Sequence, residues 1–262
     1  MRRLLLSFFA SLTLAVPAFA ATGVNLAWDA CLGSGGVSNK TFACDTNTGT
    51  DYLYVSFVSD TAIAEVNGMQ ITLDGTSCSS IVPLWWQFKI SGACRMTALS
   101  ERISQGSESP GCVNPWGPSA GGGISYYNFV WPRPTFRIHL IYAVPLSEQI
   151  VIAPGQETFA VRLAISHAKT VGVGACGDCE TPVALGIHWF GLMRPWPTRT
   201  LVLNDETIPG SSTVGWQGSA PHSYVPPPPQ GTMDPWPHRT VECALPVPAR
   251  NHTWGTIKSL YR

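Results

Sequence analysis

Residues 136–142, with the sequence FRIHLIY, have an apolar side chain at every second position, and Arg137 and His139 fall between them. Successive side chains of a β-strand point to opposite faces, so this spacing gathers the apolar groups from Phe136 to Tyr142 on one face. An α-helix would need a period of about 3.6 residues, which this segment lacks. The segment therefore predicts a strand with one face in a core.

The same period of two recurs along the chain, between clusters of glycine and proline. The further strand-like runs are residues 52–58, 68–74, 83–90, 124–131, 159–165, 183–189 and 198–204. Short strands with turn signals between them predict an all-β fold, an antiparallel β-sandwich of jelly-roll or immunoglobulin-like kind over residues 21–205. In this pattern Trp189 shares the core face with Ile187, and His188 lies exposed on the opposite face.

Charged residues are few and balanced. The chain has 262 residues, of which 16 are basic and 16 acidic. Charged residues make up 12% of the chain, about half of the roughly 25% that is usual in soluble domains. A nucleic-acid partner is not expected, because binding it requires an excess of Lys and Arg. A disordered chain is not expected either, since 45% of the residues are hydrophobic.

The N-terminus has the pattern of a secretory signal peptide. An arginine pair precedes the apolar run at residues 4–16, and residues 18–20 (AFA) form a small-x-small cleavage pattern. Cleavage is expected near Ala20-Ala21, so that residues 1–20 are removed and the mature chain is secreted, periplasmic or at the cell surface. A membrane anchor is the alternative, but the run is shorter than the ~20 apolar residues that span a bilayer. No membrane span is expected in the mature chain.

All eight cysteines follow the predicted cleavage site. An even number of cysteines in an oxidising compartment indicates up to four disulfides, so we expect the sandwich to be stapled by them. Local spacing favours the pairs Cys31–Cys44, Cys94–Cys112 and Cys176–Cys179, which leaves Cys78 to pair with Cys243.

Cys176 and Cys179 form a CxxC motif, which could also be a redox-active dithiol or half of a zinc site. Asp178 and Glu180 lie beside it and disfavour a thiolate by their negative charge. A zinc site would need a second ligand pair, and the chain has no other CxxC or CxxH. A structural disulfide is the favoured interpretation.

Two other groups could bind a metal. His139, His167 and His188 lie on or beside predicted strands and could meet as ligands, although isolated solvent-facing histidines are commoner. The loop at residues 45–51 (DTNTGTD) has oxygen side chains at alternate positions, as a calcium loop does, but lacks the distal bidentate Glu and equally fits an ordinary turn. We therefore predict no metal and no cofactor.

Aromatic residues are the main candidates for ligand contact. They lie in or beside stretches rich in glycine and proline and are Trp85, Trp86, Trp116, Tyr126, Tyr127 and Trp131. Exposed rings on a rigid sandwich would offer flat apolar platforms for sugar rings or a protein partner. The alternative is that these rings pack against loops inside the protein.

The C-terminal part of the chain is rich in proline, with 12 of the 22 prolines between Arg194 and Pro248. Proline removes a hydrogen-bond donor from the strand ladder, so central strands are not expected there. Residues 206–249 are predicted to be an extended segment packed on the sandwich or tethered to it through Cys243. A polyproline II ligand or a spacer is the alternative.

Residues 250–262 predict a short amphipathic helix that ends in TWGTIKSLYR. This ending is similar to the TWGxIKxLYR C-terminus of an uncharacterised family of exported bacterial proteins. The resemblance extends to NLAW at 25–28 with Cys31, FAC at 42–44, Trp85-Trp86, Cys94-Arg95, Cys112 with PWG at 115–117, and GAC at 174–176 with Cys179. It implies export from a bacterial cell and transfers no catalytic residue. The helix would be either a surface-sorting signal or a cap on the sandwich.

No catalytic motif is present: the chain lacks GxSxG, HExxH and GxxxxGK[ST]. The sequence therefore favours a non-enzymatic exported binding module, with a glycan as the leading partner and a surface protein as the other. A structural, self-associating component of the envelope or an extracellular layer is the alternative, and a secreted hydrolase comes third.

Overall fold

The computed structural model describes residues 22–103, 111–129, 134–195, 200–202, 210–224 and 240–245. The predicted signal peptide, Trp131 and the predicted C-terminal helix lie outside these residues. None of the helices in the described part has the length and apolar character needed to cross a membrane.

The described chain consists of fifteen β-strands and three single turns of 3-10 helix. The strands are β1 (Gly23–Trp28), β2 (Asn39–Lys40), β3 (Thr50–Val58), β4 (Ile63–Val66), β5 (Gly68–Ser77), β6 (Leu99–Arg102), β7 (Gly121–Phe129), β8 (Thr135–Ala143), β9 (Ile150–Ile152), β10 (Thr158–Ser166), β11 (Val183–Met193), β12 (Leu201–Val202), β13 (Thr213–Trp216), β14 (Ala220–Tyr224) and β15 (Thr240–Ala244). The predicted all-β, antiparallel fold is confirmed, since among the described strands only β2 and β13 pair in parallel.

Two sheets enclose one apolar core. The smaller sheet has the strand order β1-β3-β10-β6, and the larger has the order β2-β13-β11-β5-β8-β7, with β12 also paired to β11. Alternate residues such as Leu163 of β10 and Leu140 of β8 are fully buried in this core. Phe57 of the smaller sheet contacts Phe190 of the larger sheet, with ring centroids 5.2 Å apart. The alternation of apolar residues therefore places the two inner faces against each other, as in a sandwich.

The predicted strand at residues 83–90 is not formed. A turn of 3-10 helix at Leu84–Trp86 occupies its centre. A strand would point the adjacent Trp85 and Trp86 to opposite faces, whereas here both are fully buried. Trp86 stacks on Phe136 with ring centroids 5.3 Å apart. The prediction is wrong because the 3-10 turn brings both rings to one aromatic cluster, where each contacts Trp216.

A β-bulge reverses the faces of β11 halfway along the strand. The register with β5 shifts between Ile187 and Trp189, and Trp189 pairs with Thr72. An inserted residue moves every following side chain to the opposite face. Phe190 takes the core position instead and is fully buried. The prediction that Ile187 and Trp189 share the core face is therefore wrong.

The larger sheet continues past the predicted domain boundary at residue 205. β13 lies between β11 and β2, and all four of its residues are buried. It falls in the proline-free stretch 210–220, so its hydrogen-bond ladder is intact. The prediction that residues 206–249 contain no central strand is wrong here. The predicted tether is present, because Cys243 of β15 is bonded to Cys78.

All eight cysteines are in disulfides, as predicted. The bonds are Cys31–Cys112, Cys44–Cys179, Cys78–Cys243 and Cys94–Cys176. Cys78–Cys243 is confirmed, whereas the predicted pairs Cys31–Cys44, Cys94–Cys112 and Cys176–Cys179 are wrong. Loop-closure entropy grows only slowly with loop length, so closeness in sequence gives a weak preference that the strand topology overrides.

Candidate functional site

The three tryptophans predicted as ligand platforms are core residues. Trp85, Trp86 and Trp116 have no exposed surface. The indole N–H of Trp85 donates to the Thr170 hydroxyl at 3.0 Å, and that of Trp116 donates to the Phe159 carbonyl at 3.0 Å. These three rings therefore offer no exposed platform to a ligand, and they pack inside the protein, as the alternative prediction states.

The two tyrosines of β7 lie on opposite faces of the larger sheet. Tyr126 faces the core, where its hydroxyl donates to the backbone carbonyl of Trp86. Burial raises the pKa of Tyr126 far above its ordinary value. Tyr127 faces outward and is 40% exposed, so it is the one predicted aromatic in the described residues that a ligand could reach.

The three histidines are held apart by separate partners. His139 is bonded to Gln70, His167 to Asp51 and the Thr48 carbonyl, and His188 to Asp74. Within the ranges that the structure describes, no group of three or more His, Cys, Asp or Glu side chains is placed to hold a metal. The three histidines therefore do not come together as ligands of one metal site.

His167 and Asp51 form a buried pair of the kind found in catalytic triads. The His167 Nε2 atom lies 2.8 Å from an Asp51 carboxylate oxygen, and Nδ1 lies 2.7 Å from the Thr48 carbonyl. Both ring nitrogens are therefore engaged, and neither is left to take a proton from a substrate. The ring of Phe42 covers the imidazole, with centroids 3.6 Å apart. The pair is an internal tie between β3 and the end of β10.

The candidate calcium loop at residues 45–51 uses its oxygen atoms internally. The Asn47 side-chain oxygen accepts hydrogen bonds from the backbone N–H groups of Thr170 at 2.7 Å and Val171 at 2.9 Å. Asp51, at the end of the loop, is committed to His167. These contacts fix the loop against residues 167–171 and leave an ordinary structural turn.

Arg95 is a buried charge that also serves the structure. Its guanidinium lies 3.6 Å from the centre of the Trp85 ring and donates to the carbonyls of Ala168, Trp85 and Ser166. Burial lowers the pKa of Arg95 to about 9, and the nearby charge of Asp51 opposes this effect. A guanidinium with this pKa is still protonated at neutral pH, and it joins two loops around the tryptophan.

The loop at residues 170–182 carries the CxxC motif and borders a groove of about 630 Å³. Both cysteines of the motif are bonded to cysteines of other loops, so they form neither a dithiol nor a zinc ligand pair. The groove is lined mostly by small residues, with the carboxylates of Asp178 and Glu180 and with no aromatic or basic side chain. It offers little that would bind a sugar ring or an anion.

The outer face of the larger sheet holds a charged cluster whose members are paired with each other. Arg137 donates to both carboxylate oxygens of Asp74, at 2.6 and 2.7 Å, and His188 lies 3.1 Å from the same carboxylate. Burial alone would raise the pKa of Asp74, but the hydrogen bonds and charges of Arg137 and His188 outweigh it and lower the pKa. Each charge in this cluster has a partner.

The outer face of the smaller sheet carries an open groove of about 280 Å³. The side chain at the centre of the groove is small: it belongs to Ala164 of β10, which lies in register between Tyr52 of β3 and Ser100 of β6. The groove is bordered by the Tyr52 ring, the hydroxyls of Thr50, Thr97, Ser100 and Ser166, and the guanidinium groups of Arg102 and Arg162.

Two arginines set the charge of this groove. Arg162 is 7% exposed, and its guanidinium lies 4.5 Å from the centre of the Tyr52 ring, a cation–π contact. Arg102 is exposed and lies directly opposite Arg162 in the antiparallel register. Among the residues that the structure describes, no carboxylate borders the groove and none reaches Arg102. We take this groove as the candidate site.

Sequence reasoning missed Tyr52, Arg102 and Arg162 as site residues. One signal was available: the period of two in residues 159–165 places Arg162 and Ala164 on the face opposite the core residues. The pairing with β6 was not visible, because residues 99–102 show no strand-like alternation.

Comparisons with known proteins add no relative. No family model matches this chain, and neither a curated protein nor a solved structure is significantly similar to it. The candidate site therefore rests on its geometry alone.

Proposed function

We propose that the chain is an exported, non-enzymatic binding module that holds a glycan in the groove on the smaller sheet. The observation that carries the proposal is this open groove, where one aromatic ring stands among four hydroxyls. Four disulfides support the exported location, since such bonds persist in oxidising compartments.

The groove has the chemistry that a sugar requires. A sugar ring has an apolar face of C–H groups, which packs on an aromatic ring, and a rim of hydroxyls, which need donors and acceptors. Tyr52 supplies the ring, while Ser100 and Ser166 are among the hydroxyls that can both donate and accept.

The site is rigid before a ligand arrives. Tyr52, Ala164 and Ser100 stand on three hydrogen-bonded strands, and Arg162 holds the tyrosine ring from one side. A preformed site loses less conformational entropy on binding, so weak individual contacts with a sugar can sum to a useful affinity.

The same groove argues against hydrolysis. A glycoside hydrolase generally needs two carboxyl groups on either side of the bond that it cleaves. Among the described residues, the ionisable groups at the groove are Tyr52 and two arginines, and arginine stays protonated at neutral pH and does not act as a general acid or base there. Binding without cleavage is the activity that fits these residues.

Affinity electrophoresis of the mature protein in gels that contain a panel of polysaccharides tests the proposal. We expect at least one polymer to retard the protein and Tyr52→Ala to weaken this binding at least about fivefold, as truncation of a central interface residue does. Tyr127→Ala is the matched control, because it removes an exposed tyrosine from the other sheet. Thermal unfolding of both variants checks that they fold. The proposal fails if no polymer retards the protein or if the two variants lose binding equally.

A structural, self-associating role has its own supporting observation. β7 is the last strand of the larger sheet, and no described strand pairs with its outer edge. It is nine residues long and contains neither a charged residue nor a proline. Long, uncharged edge strands are sites of edge-to-edge association.

Sedimentation velocity over a range of concentrations distinguishes this second role. A self-associating protein would form larger species, and Ser125→Lys, which puts a charge on the exposed edge strand, would return it to the monomer. A monomer at every concentration would rule the second role out and leave the glycan-binding role unaffected.

A further inference from the structure

We infer that the outer face of the larger sheet carries a second binding site, in which Trp189 packs against an uncharged sugar unit of a glycan. The ligand class is that of the proposed function, but the residues lie on the other sheet, so the two sites can be tested separately.

The β-bulge in β11 places Trp189 on this face. Regular alternation from Ile187 would point Trp189 into the core, and the register shift between the two residues turns it outward. Trp189 is partly exposed, whereas Phe190 takes the buried position. Bulges are common beside functional sites, where they redirect a side chain. The bulge in β11 makes a large aromatic ring accessible that would otherwise be a core residue.

Gly191 makes room for the indole on the surface of the sheet. A Cβ atom at position 191 would lie 2.4 Å from the Cη2 atom of Trp189 and 2.8 Å from its Cζ2 atom, closer than nonbonded atoms approach. The six-membered ring therefore lies against Gly191, along its own strand. Any larger residue at position 191 would displace the ring. A ring that is already held in place loses little freedom when a ligand binds.

Hydrogen-bonding groups adjoin this ring. Gln70 of β5 lies in register with Gly191, and its amide nitrogen lies 2.8 Å from the Nε2 atom of His139. Burial lowers the pKa of His139, and the charge of Arg137 lowers it further, so the imidazole is neutral at neutral pH. An amide nitrogen donates, so Nε2 accepts and Nδ1 carries the proton. The pair keeps the amide oxygen of Gln70 as an acceptor and the Nδ1–H group of His139 as a donor.

This combination has the chemistry of a site for an uncharged sugar. The C–H face of a sugar packs on an indole, and its hydroxyls need donors and acceptors beside that face. Gln70 and His139 are half-buried, so each presents part of its surface next to the ring. The charged groups of the same face, Arg137 and Asp74, are hydrogen-bonded to each other, which favours a neutral ligand over a charged one.

The place of Trp189 in the sheet disfavours a peptide strand as the ligand. β11 pairs with β5 on one side and with β12 and β13 on the other. Peptides that extend a sheet bind at an edge strand through backbone hydrogen bonds. A ligand of Trp189 must instead approach from above the sheet and bind through side chains, as a glycan does.

Selective labelling of tryptophan with nitrogen-15 tests the inference. All 10 tryptophans follow the predicted cleavage site, and Trp189→Phe identifies the indole N–H signal of Trp189 among them. The mature protein is titrated with cellohexaose, laminarihexaose, mannohexaose and chitohexaose, which are uncharged. We expect at least one of them to shift the Trp189 signal in a saturable way. Gly191→Ala, which displaces the ring, should weaken this binding at least about tenfold, and Gln70→Leu about fivefold through lost hydrogen bonds.

Gly123→Ala is the matched control. Gly123 lies on the same outer face in register with Ile141, and a Cβ atom there would meet nothing within 4 Å. Its binding should stay within about twofold of the wild type. Thermal unfolding checks that each variant folds, and Gln70→Leu decides the test if Gly191→Ala does not. Equal losses in Gly191→Ala and Gly123→Ala would overturn the inference. A Trp189 signal that shifts with protein concentration alone would also overturn it, because this face would then contact a second copy of the chain.

Tyr52→Ala separates the second site from the groove on the smaller sheet. It should leave the titration of Trp189 unchanged, since Tyr52 lies on the other sheet. Loss of the Trp189 titration in Tyr52→Ala would overturn the inference. So would the absence of a Trp189 shift with every saccharide, and polymer binding that depends on Tyr52 would then leave the proposed function standing. A Trp189 shift together with polymer binding that Tyr52→Ala does not weaken would support the inference and overturn the proposed function.

Discussion

The two outer faces of the sandwich use arginine in opposite ways. On the larger sheet, Arg137 lies in register with Asp74 and is hydrogen-bonded to both of its carboxylate oxygens. On the smaller sheet, Arg102 lies in register with Arg162, and none of the described residues that border the groove beside them carries a carboxylate. The same residue type lies opposite a carboxylate on one face and opposite a second arginine on the other.

The comparison shows that cross-strand register decides the role of a charged residue. A carboxylate directly opposite an arginine satisfies its hydrogen bonds and leaves nothing for a ligand. A second arginine in that place offers no acceptor, so each guanidinium of the pair needs hydrogen-bond acceptors from other residues. Removing Asp74 from the larger sheet and removing the charge of Arg102 from the smaller sheet should therefore change the free energy of unfolding by very different amounts.

The largest effect is expected from removing the disulfide that anchors β15 to the larger sheet. The bond Cys78–Cys243 closes a sequence separation of 165 residues and fixes β15, whose Val241 carbonyl accepts a hydrogen bond from Thr76. Replacing both cysteines with serine should lower the free energy of unfolding by about 4 kcal/mol, because the unfolded chain regains the entropy of a long loop. Guanidinium unfolding measures the loss.

Hydrogen exchange provides the control for this variant. Amide protection in β14 and β15 should fall in Cys78→Ser/Cys243→Ser and persist in Cys31→Ser/Cys112→Ser, which removes a disulfide elsewhere. β14 and β15 pair with each other, and unchanged protection of both strands in the first variant would show that the bond does not hold them in place.

The paired face should be sensitive to the loss of a single partner. Asp74→Ala leaves Arg137 half-buried without its carboxylate, and breaking such a pair should destabilise the protein by about 3 kcal/mol. The double variant Asp74→Ala/Arg137→Ala should lose less than the sum of the two single variants, because it leaves no unpaired charge. Additive losses in urea unfolding would contradict a direct coupling between the two residues.

Acid should weaken the same face through Asp74. Its pKa in the folded protein lies below the ordinary value of 3.8, so its contribution to stability is complete at pH values well above 3.8. As the pH falls through 3.8 toward the lower folded pKa, the unfolded state binds the proton first and the contribution is lost. The stability difference between the wild type and Asp74→Asn should shrink over this window. A stability difference between the two proteins that stays constant as the pH falls below 3.8 would contradict the lowered pKa of Asp74.

The smallest effect is expected on the open face. Arg102→Gln should change the free energy of unfolding by no more than about 0.5 kcal/mol, since the side chain is exposed and unpaired among the described residues. Arg137→Gln, measured alongside, should be clearly destabilising. A loss in Arg102→Gln as large as that in Arg137→Gln would remove the distinction between the two faces.

The inner faces of the sandwich could be predicted from the sequence. Phe136 to Tyr142 and Val161 to Ile165 alternate as predicted and face the core, because burial of one face imposes a period of two. A register shift between Phe159 and Val161 breaks the predicted alternation at the start of β10. At residues 83–90 the sequence does not distinguish a strand from a turn, since two adjacent buried tryptophans are compatible with both. The amino-acid sequence around Ile187 does not indicate the β-bulge that follows this residue.

The candidate site was less accessible to prediction than the fold. From the sequence, Trp85 and Trp86 could either form exposed ligand platforms or pack inside the protein, and in the structure both are fully buried. The groove depends on which residue of β6 lies opposite Arg162. Register is a property of two segments distant in sequence, and a single strand's pattern does not specify it.

The disulfide connectivity has a consequence for how the protein matures. Cys44, Cys78 and Cys94 are each bonded to a cysteine at position 176 or later, and only Cys31–Cys112 can close before that point in the chain. A chain that enters an oxidising compartment N-terminus first therefore presents three thiols before their partners arrive. The nearest wrong pairing, Cys31 with Cys44, is the one that spacing favours. Thiol–disulfide exchange is the route by which such errors are undone. Correct pairing in an oxidising compartment therefore requires either that oxidation be delayed until the chain is complete or that an isomerase correct it.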